Sequence, residues 1–135
     1  MSKARIHIVT DGQDPLLDQV PPLFDDLHSS MSGHGMHATL APDGARIWTE
    51  GVRRGVERFG RLVLAEQDGV VVGFTYGVVK LAPDYLGGEL LGHWTHLYVV
   101  PDKRRSGVAQ ALTTALHDWF DRKGVKATEC EVVHE

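Results

Sequence analysis

Cysteine is nearly absent: the 135 residues hold one, Cys130, so no intrachain disulfide can form and the chain suits a reducing cytoplasm. Long apolar runs are missing as well. None approaches the ~20 residues that cross a bilayer, and the opening Met-Ser-Lys-Ala-Arg leads into no signal-peptide core, so no membrane partner is expected. Positive charge is not in excess either. Lysine and arginine number 14 against 18 acidic residues, a formal net charge of −4, and no basic face extends beyond one loop. That balance argues against nucleic acid as a partner. There is no internal repeat and no low-complexity linker, and the length fits one domain over residues 1–135 with a core to bury.

What the chain does have is an ordered series of strand and helix signals. Arg5 to Val9 alternates in polarity like a short strand. Asp14-Pro15 opens a helical stripe through Leu16, Leu17, Val20, Leu23, Phe24 and Leu27, which Pro21-Pro22 must kink or restart. Ser29 to Gly44 reads as loop, and Ile47, Trp48, Val52, Val56 and Phe59 space like a second helix reaching about Arg58. Arg61–Glu66 and Val70–Val79 predict a hairpin turned at Asp68-Gly69. Ala82 to Gly92 reads as a polar connection and His93 to Val100 as a fourth strand. A helix on Val108, Leu112, Ala115, Leu116, Trp119 and Phe120 follows, stopped by Gly124, before a fifth strand over Lys126–Val133. The predicted order is β-α-α-β-β-β-α-β, an α/β (α+β) arrangement.

Between the fourth strand and its helix lies the segment richest in chemistry. The first backbone N–H groups of a helix lack intrahelical partners and carry partial positive charge. Arg104 and Arg105 add full charges at that point, and Gly107 removes a Cβ that would block a phosphate. Ala109 keeps the first turn thin. The arrangement suits a pyrophosphate, and so a nucleotide-bearing cofactor.

Arg104-Arg105-Ser106-Gly107-Val108-Ala109 resembles the Arg/Gln-x-x-Gly-x-Gly/Ala signature of the GNAT superfamily of N-acetyltransferases, and Leu97-Tyr98-Val99-Val100-Pro101 is similar to that family's fourth strand and Val-x-Pro turn. The resemblance implies a mixed sheet, splayed between strands four and five and flanked by helices, that binds acetyl-CoA as cosubstrate. It implies pantetheine along Leu97, Tyr98 and Val99, pyrophosphate on the N–H groups of Arg105 through Ala109 beside Arg104, and the N–H near Val99 polarising the thioester. It further implies transfer of an acetyl group to a primary amine of a small molecule or peptide by direct attack in a ternary complex. Dimers are frequent in the resembled family, so a homodimer is an expectation too. The family usually continues through a further helix and hairpin; this sequence ends at His134-Glu135, where that segment would begin. The expectation is a transferase lacking that segment, and the alternative is a CoA- or acyl-CoA-binding module without turnover.

An attacking amine must lose a proton. His93 and His96 open the fourth strand, and His93 falls where the histone-acetylating branch carries a glutamate, so it ranks first as base. Strict alternation puts His93 on one face with Thr95, Leu97 and Val99, and His96 on the other with Tyr98; a bulge would swap that parity. Glu89, and Glu129 with Glu131 on one face of the fifth strand, are further options. Cys130 reads as a small core residue rather than a nucleophile. His28, His34 and His37 match no zinc spacing, so no metal is expected. Arg53, Arg54, Arg58 and Arg61 read as a solvated helical face with Glu50 and Glu57 as partners, and Trp48, Trp94 and Trp119 as packing residues.

Overall fold

The computed structural model describes residues 3–33, 41–125 and 127–130. Strands β1 (Arg5–Val9), β2 (Gly60–Gln67), β3 (Val70–Leu81), β4 (Leu90–Val99) and β5 (Ala127–Cys130) form one sheet in that spatial order. The first four pair antiparallel, and β4–β5 is parallel. A parallel pair needs a crossover, which helix α3 (Val108–Arg122) supplies. Helices α1 (Val20–Gly33) and α2 (Gly44–Gly55) stand between β1 and β2. The element order and the mixed sheet are those expected from the sequence.

Strand alternation divides the core in two. Leu62 and Leu64 of β2 face α1 and α2 and join Leu17, Phe24, Val52 and Phe74. Val63 and Ala65 face the other way, toward Leu112, Leu116 and Phe120 of α3. The hairpin turn has φ of 54° at Asp68 and 84° at Gly69, the paired positive values of a type I′ turn. The α3 terminus is a Schellman motif, with Val125 N–H on the Phe120 carbonyl and Gly124 at φ 78°.

The helix restarts at Pro21-Pro22 as expected, and several boundaries differ from the sequence reading. Pro15–Gln19 is a 3-10 turn capped by Asp14, whose carboxylate accepts from Leu16 N–H at 3.0 Å. It leads straight into α1, so Pro21 and Pro22 occupy a first turn where a missing N–H costs nothing. The helix runs on to Gly33, past the expected loop start at Ser29. Helix α2 stops at Gly55, because Glu57 turns left-handed at φ 66°. Strand β4 begins at Leu90, since Leu90, Leu91 and Gly92 pair with Leu81, Lys80 and Val79. Of the expected fifth strand, Ala127–Cys130 is strand, and Lys126 and Glu131–Val133 lie outside the described residues.

Candidate active site at the end of the fourth strand

The β3–β4 register places Tyr76 opposite His96 but Gly77 opposite Trp94. Thr95 is the extra residue, a β-bulge that reverses which face the following side chains take. Trp94 packs on Phe120 at 6.5 Å, on the α3 side with Leu97 and Val99. His93 pairs with Val78, which packs against the α1/α2 core. His93 and His96 therefore share the α1/α2 face. The expectation from strict alternation, His93 together with Leu97 and Val99, is corrected by this one inserted residue.

His96 sits against an aromatic cluster. Its ring lies 4.8 Å from the Trp48 ring and 5.4 Å from Phe24, centroid to centroid. Trp48 in turn stacks on Phe24 at 4.5 Å and meets Tyr76 edge-on at 5.5 Å. Thr75, fully buried, donates its hydroxyl to the His96 carbonyl at 2.7 Å and accepts from Trp94 Nε1 at 2.7 Å. Nothing in the sequence marked these threonines, because threonine in a strand reads simply as a β-former.

Backbone direction along β4 follows from its hydrogen bonds. Val100 N–H donates to the Val72 carbonyl at 2.9 Å, and the His96 carbonyl accepts from Thr75 of β3. By alternation Tyr98 also turns its peptide groups to β3, whereas Leu97 and Val99 direct theirs to the opposite edge. On that edge the described β5 pairing ends at Trp94 opposite Cys130. The Val99 carbonyl there accepts from Arg104 Nε at 2.8 Å, and the Arg104 guanidinium lies 5.4 Å from the Tyr98 ring centre. Arg104 thus ties the loop to the strand end.

Next to this edge the chain makes a left-handed loop. Arg105 has φ 65° and Gly107, the residue before α3, has φ 88°. A non-glycine residue at such a φ is strained by about 1–2 kcal/mol. The first intrahelical bond of α3 is Ala111 N–H to the Gly107 carbonyl, so the N–H groups of Val108, Ala109 and Gln110 have no acceptor within the helix. A Cβ built on Gly107 would have no atom within 4 Å, which leaves the approach to those groups open. Ser106 donates its hydroxyl to the Lys103 carbonyl. Arg105, Ser106 and Ala109 are exposed and Val108 is buried. Cation, helix terminus and open glycine converge at the end of β4, and these residues fit a pyrophosphate.

The remaining candidates scatter. Glu89 lies in the β3–β4 connection, where its carbonyl accepts Ala82 N–H at 2.8 Å. Glu129 and Cys130 are on β5, while Glu131, His34 and His37 lie outside the described residues. No group of three metal-ligating side chains is found among the described residues. The arginine cluster is not one solvated helical face. Arg53 binds Asp18 at 2.7 Å and the Gly12 carbonyl at 2.7 Å, and Arg61 is a buried residue of β2. Its partner is Glu57, as the sequence spacing suggested, though neither belongs to a helix. No described helix is long and apolar enough to cross a membrane.

Comparison with known proteins gives a consistent result. The sequence profile of the acetyltransferase (GNAT) family matches residues 23–135. No curated protein matches the chain. Among solved structures, a ribosomal-protein-alanine N-acetyltransferase from Brucella melitensis biovar Abortus 2308 is similar at TM-score 0.71 and 20% identity, over 98% of this chain and 82% of that one. The aminoglycoside N-acetyltransferase AAC(6')-Iy in complex with CoA is similar at TM-score 0.72 and 17% identity, over 98% of this chain and 80% of that one. An acetyltransferase from Vibrio fischeri has TM-score 0.72 and 20% identity, over 97% of this chain and 98% of that one.

Proposed function

Because the chain belongs to the acetyltransferase (GNAT) family, we propose that it transfers an acetyl group from acetyl-CoA to a primary amine on a small molecule or peptide. One observation carries the reading: the outward peptide groups of Leu97 and Val99 meet the left-handed Arg105–Gly107 loop at the α3 N-terminus. A strand edge and an anion cradle in line match a ligand with a peptide-like arm and a pyrophosphate. The Val99 carbonyl is already taken by Arg104. The arm would therefore use Leu97 N–H, Leu97 C=O and Val99 N–H, with Tyr98 fixing the strand from the β3 side. Val99 N–H is the donor aimed at developing charge on the acyl oxygen. The N–H groups of Val108, Ala109 and Gln110, with Arg105 and Ser106 alongside, would hold the phosphates. Bound acetyl-CoA supplies an activated thioester; the protein supplies orientation, the oxyanion donor and a proton acceptor on the face shared by His93 and His96. His93 stays the base proposed from sequence position.

Calorimetric titration of the chain with acetyl-CoA tests the cofactor site, with Gly107→Glu as control. The added side chain meets open space but sets a carboxylate before the helix N-terminus, at the cost of an unfavourable φ. Saturable binding lost in the variant is expected, followed by CoA thiol release with a panel of primary amines. Equal binding by the variant overturns the site, and binding without thiol release moves the reading to a CoA-binding module.

A further inference from the structure

We propose that Thr75, tied to Trp94, locks the inserted residue of β4 in place and so keeps Val99 N–H turned toward the acyl group. The proposal rests on the transferase reading for its chemistry; the lock itself rests on packing and hydrogen bonds. Thr75 is fully buried and pairs with Val63 of β2 and Leu97 of β4, both in the core under α3. Valine would fill that place with no hydroxyl to satisfy. Here the hydroxyl is satisfied twice. An indole N–H can only donate and a carbonyl can only accept. Thr75 Oγ1 therefore accepts from Trp94 Nε1 and gives its one proton to the His96 carbonyl, both at 2.7 Å. These two partners flank Thr95, the inserted residue.

The Trp94 bond can form in one register only. Counting back from Leu97 by strict alternation puts Thr95 on the α3 face and Trp94 on the other. From there the indole could not reach Thr75 through the sheet. The insertion brings Trp94 onto the α3 face, where it packs on Phe120 at 6.5 Å and meets Thr75. Two glycines hold the first half of β4 to the same register. Gly77 lies opposite Trp94, and a Cβ there would stand 2.8 Å from Phe120 Cζ. A Cβ on Gly92 would approach that ring to 3.0 Å, so a slip by one residue would drive a β4 side chain into Phe120. The second half of β4 is held through the His96 carbonyl, and Thr75 is the group that ties both halves together.

The point where β4 parts from β5 is thereby fixed. Trp94 is the last described residue of that pairing, opposite Cys130. Beyond it, Leu97 and Val99 turn their peptide groups to the outer edge only while the extra residue stays at Thr95. Without the insertion, and with Trp94 still under α3, the parity of every later residue reverses. Val99 N–H would then face β3, away from the acyl oxygen. In the step it serves, the nitrogen of a neutral amine bonds to the thioester carbonyl carbon and charge gathers on the oxygen. The C–S bond then breaks, and the sulfur ends with the proton that the nitrogen gives up. Thr75 is a positioning residue in this scheme, acting through the strand and not on the reacting atoms.

Nuclear Overhauser contacts and amide exchange along β3 and β4 test the lock without any ligand. Wild type and Thr75→Ser are expected to place Gly77 opposite Trp94 and to exchange alike. Thr75→Val should exchange the amides of residues 94 to 96 roughly tenfold faster or more, as a local opening. Wild-type rates in a folded Thr75→Val overturn the lock. Where that variant does not fold, Trp94→Phe removes the same bond while keeping a ring on Phe120, and the same amide readings decide. For the positioning half, kcat on spermidine, kanamycin or an alanyl peptide is counted per CoA-binding site. Thr75→Val should lose roughly tenfold to 100-fold, approaching the loss of an oxyanion donor, and Thr75→Ser should restore the rate. The Kd for CoA, held by its phosphates, should change less than about threefold. An unchanged kcat per site overturns the positioning role, as does CoA affinity falling in step with the rate. If wild type acetylates none of the three probes, the transferase reading and the positioning role fall together, whereas amide exchange still decides the lock.

Discussion

Replacing Glu57 by alanine strips the counter-charge from Arg61, a guanidinium that is buried between β2 and α3. Arg61 Nε and Nη2 contact the Glu57 carboxylate at 3.0–3.1 Å, and the guanidinium lies 5.5 Å from the Trp119 ring centre. The Arg61 side chain is 9% exposed and that of Glu57 34%. Removing one partner of a fully buried pair costs about 3–5 kcal/mol. Water reaches the glutamate side, so Coulomb attraction is partly screened and roughly 2–3 kcal/mol is the reasoned loss. A second contribution has the opposite sign. Glu57 sits at φ 66°, where a side chain is strained by about 1 kcal/mol that glycine would relieve. Glu57→Gly should therefore lose only about 1–2 kcal/mol, and Glu57→Ala the full amount. For a chain of this size the alanine variant should melt roughly 6–12 °C lower, as read by circular dichroism. Urea titration checks the free energies. An alanine variant within ~0.5 kcal/mol of wild type would refute the buried-pair reasoning. A glycine variant less stable than alanine would refute the strain reasoning and leave the pair intact.

Acid should weaken the fold through two carboxylates. Burial alone would raise Asp14, but the His7 hydrogen bond at 2.6 Å, Leu16 N–H and the charges of His7 and Arg53 outweigh it and hold the carboxyl below its ordinary value. Gly69 N–H, foremost, and Arg5 do the same for Glu66. A depressed native pKa gives stability present above the unfolded value and lost as pH falls through the native one, so the loss should appear below roughly pH 4; Asp14→Asn should flatten that slope in denaturant titrations, and an unaltered slope would refute it. Arg105→Gly removes left-handed strain and should raise stability by about 0.5–1 kcal/mol, while weakening acetyl-CoA binding severalfold in calorimetry. Gly77→Ala should cost about 1–3 kcal/mol, because its Cβ would stand 2.8 Å from Phe120 Cζ and 2.9 Å from Leu116 Cδ2; thermal melting with no loss would mean α3 yields freely.

Period and turn chemistry made much of this fold readable before any coordinates. The Asp-Gly turn, the Gly124 stop and the five-residue first strand came through because each is written in local sequence: a φ > 0 pair, a C′ glycine, an apolar alternation. The end of α1 did not, since helix propensity is a weak prior where tertiary context can override it. Nor did the start of β4. Leu90-Leu91-Gly92 looks like connection until Gly92 is seen beneath Phe120, where a Cβ would approach the ring to 3.0 Å. The loop between β4 and α3 was legible from charge and glycine placement. The histidine face was not, because Thr95 shows itself as an extra residue only against the register of β3. A bulge is a property of two strands, and one strand's sequence holds half of it.

The sheet that divides the core also divides the consequences of change. Phe24, Trp48 and Phe74 meet one another on one side, and Val63, Leu112 and Leu116 on the other, with only strand backbone between. Apart from Val100, which packs against both clusters, the described core residues on opposite sides belong to separate clusters, so the free energies of substitutions across the sheet should add, whereas those on one side should couple. The histidine face can then be remodelled by successive substitutions while the helix that carries the anion loop keeps its packing. β4 is the exception, since it serves both compartments, and double mutants within it are where additivity should fail.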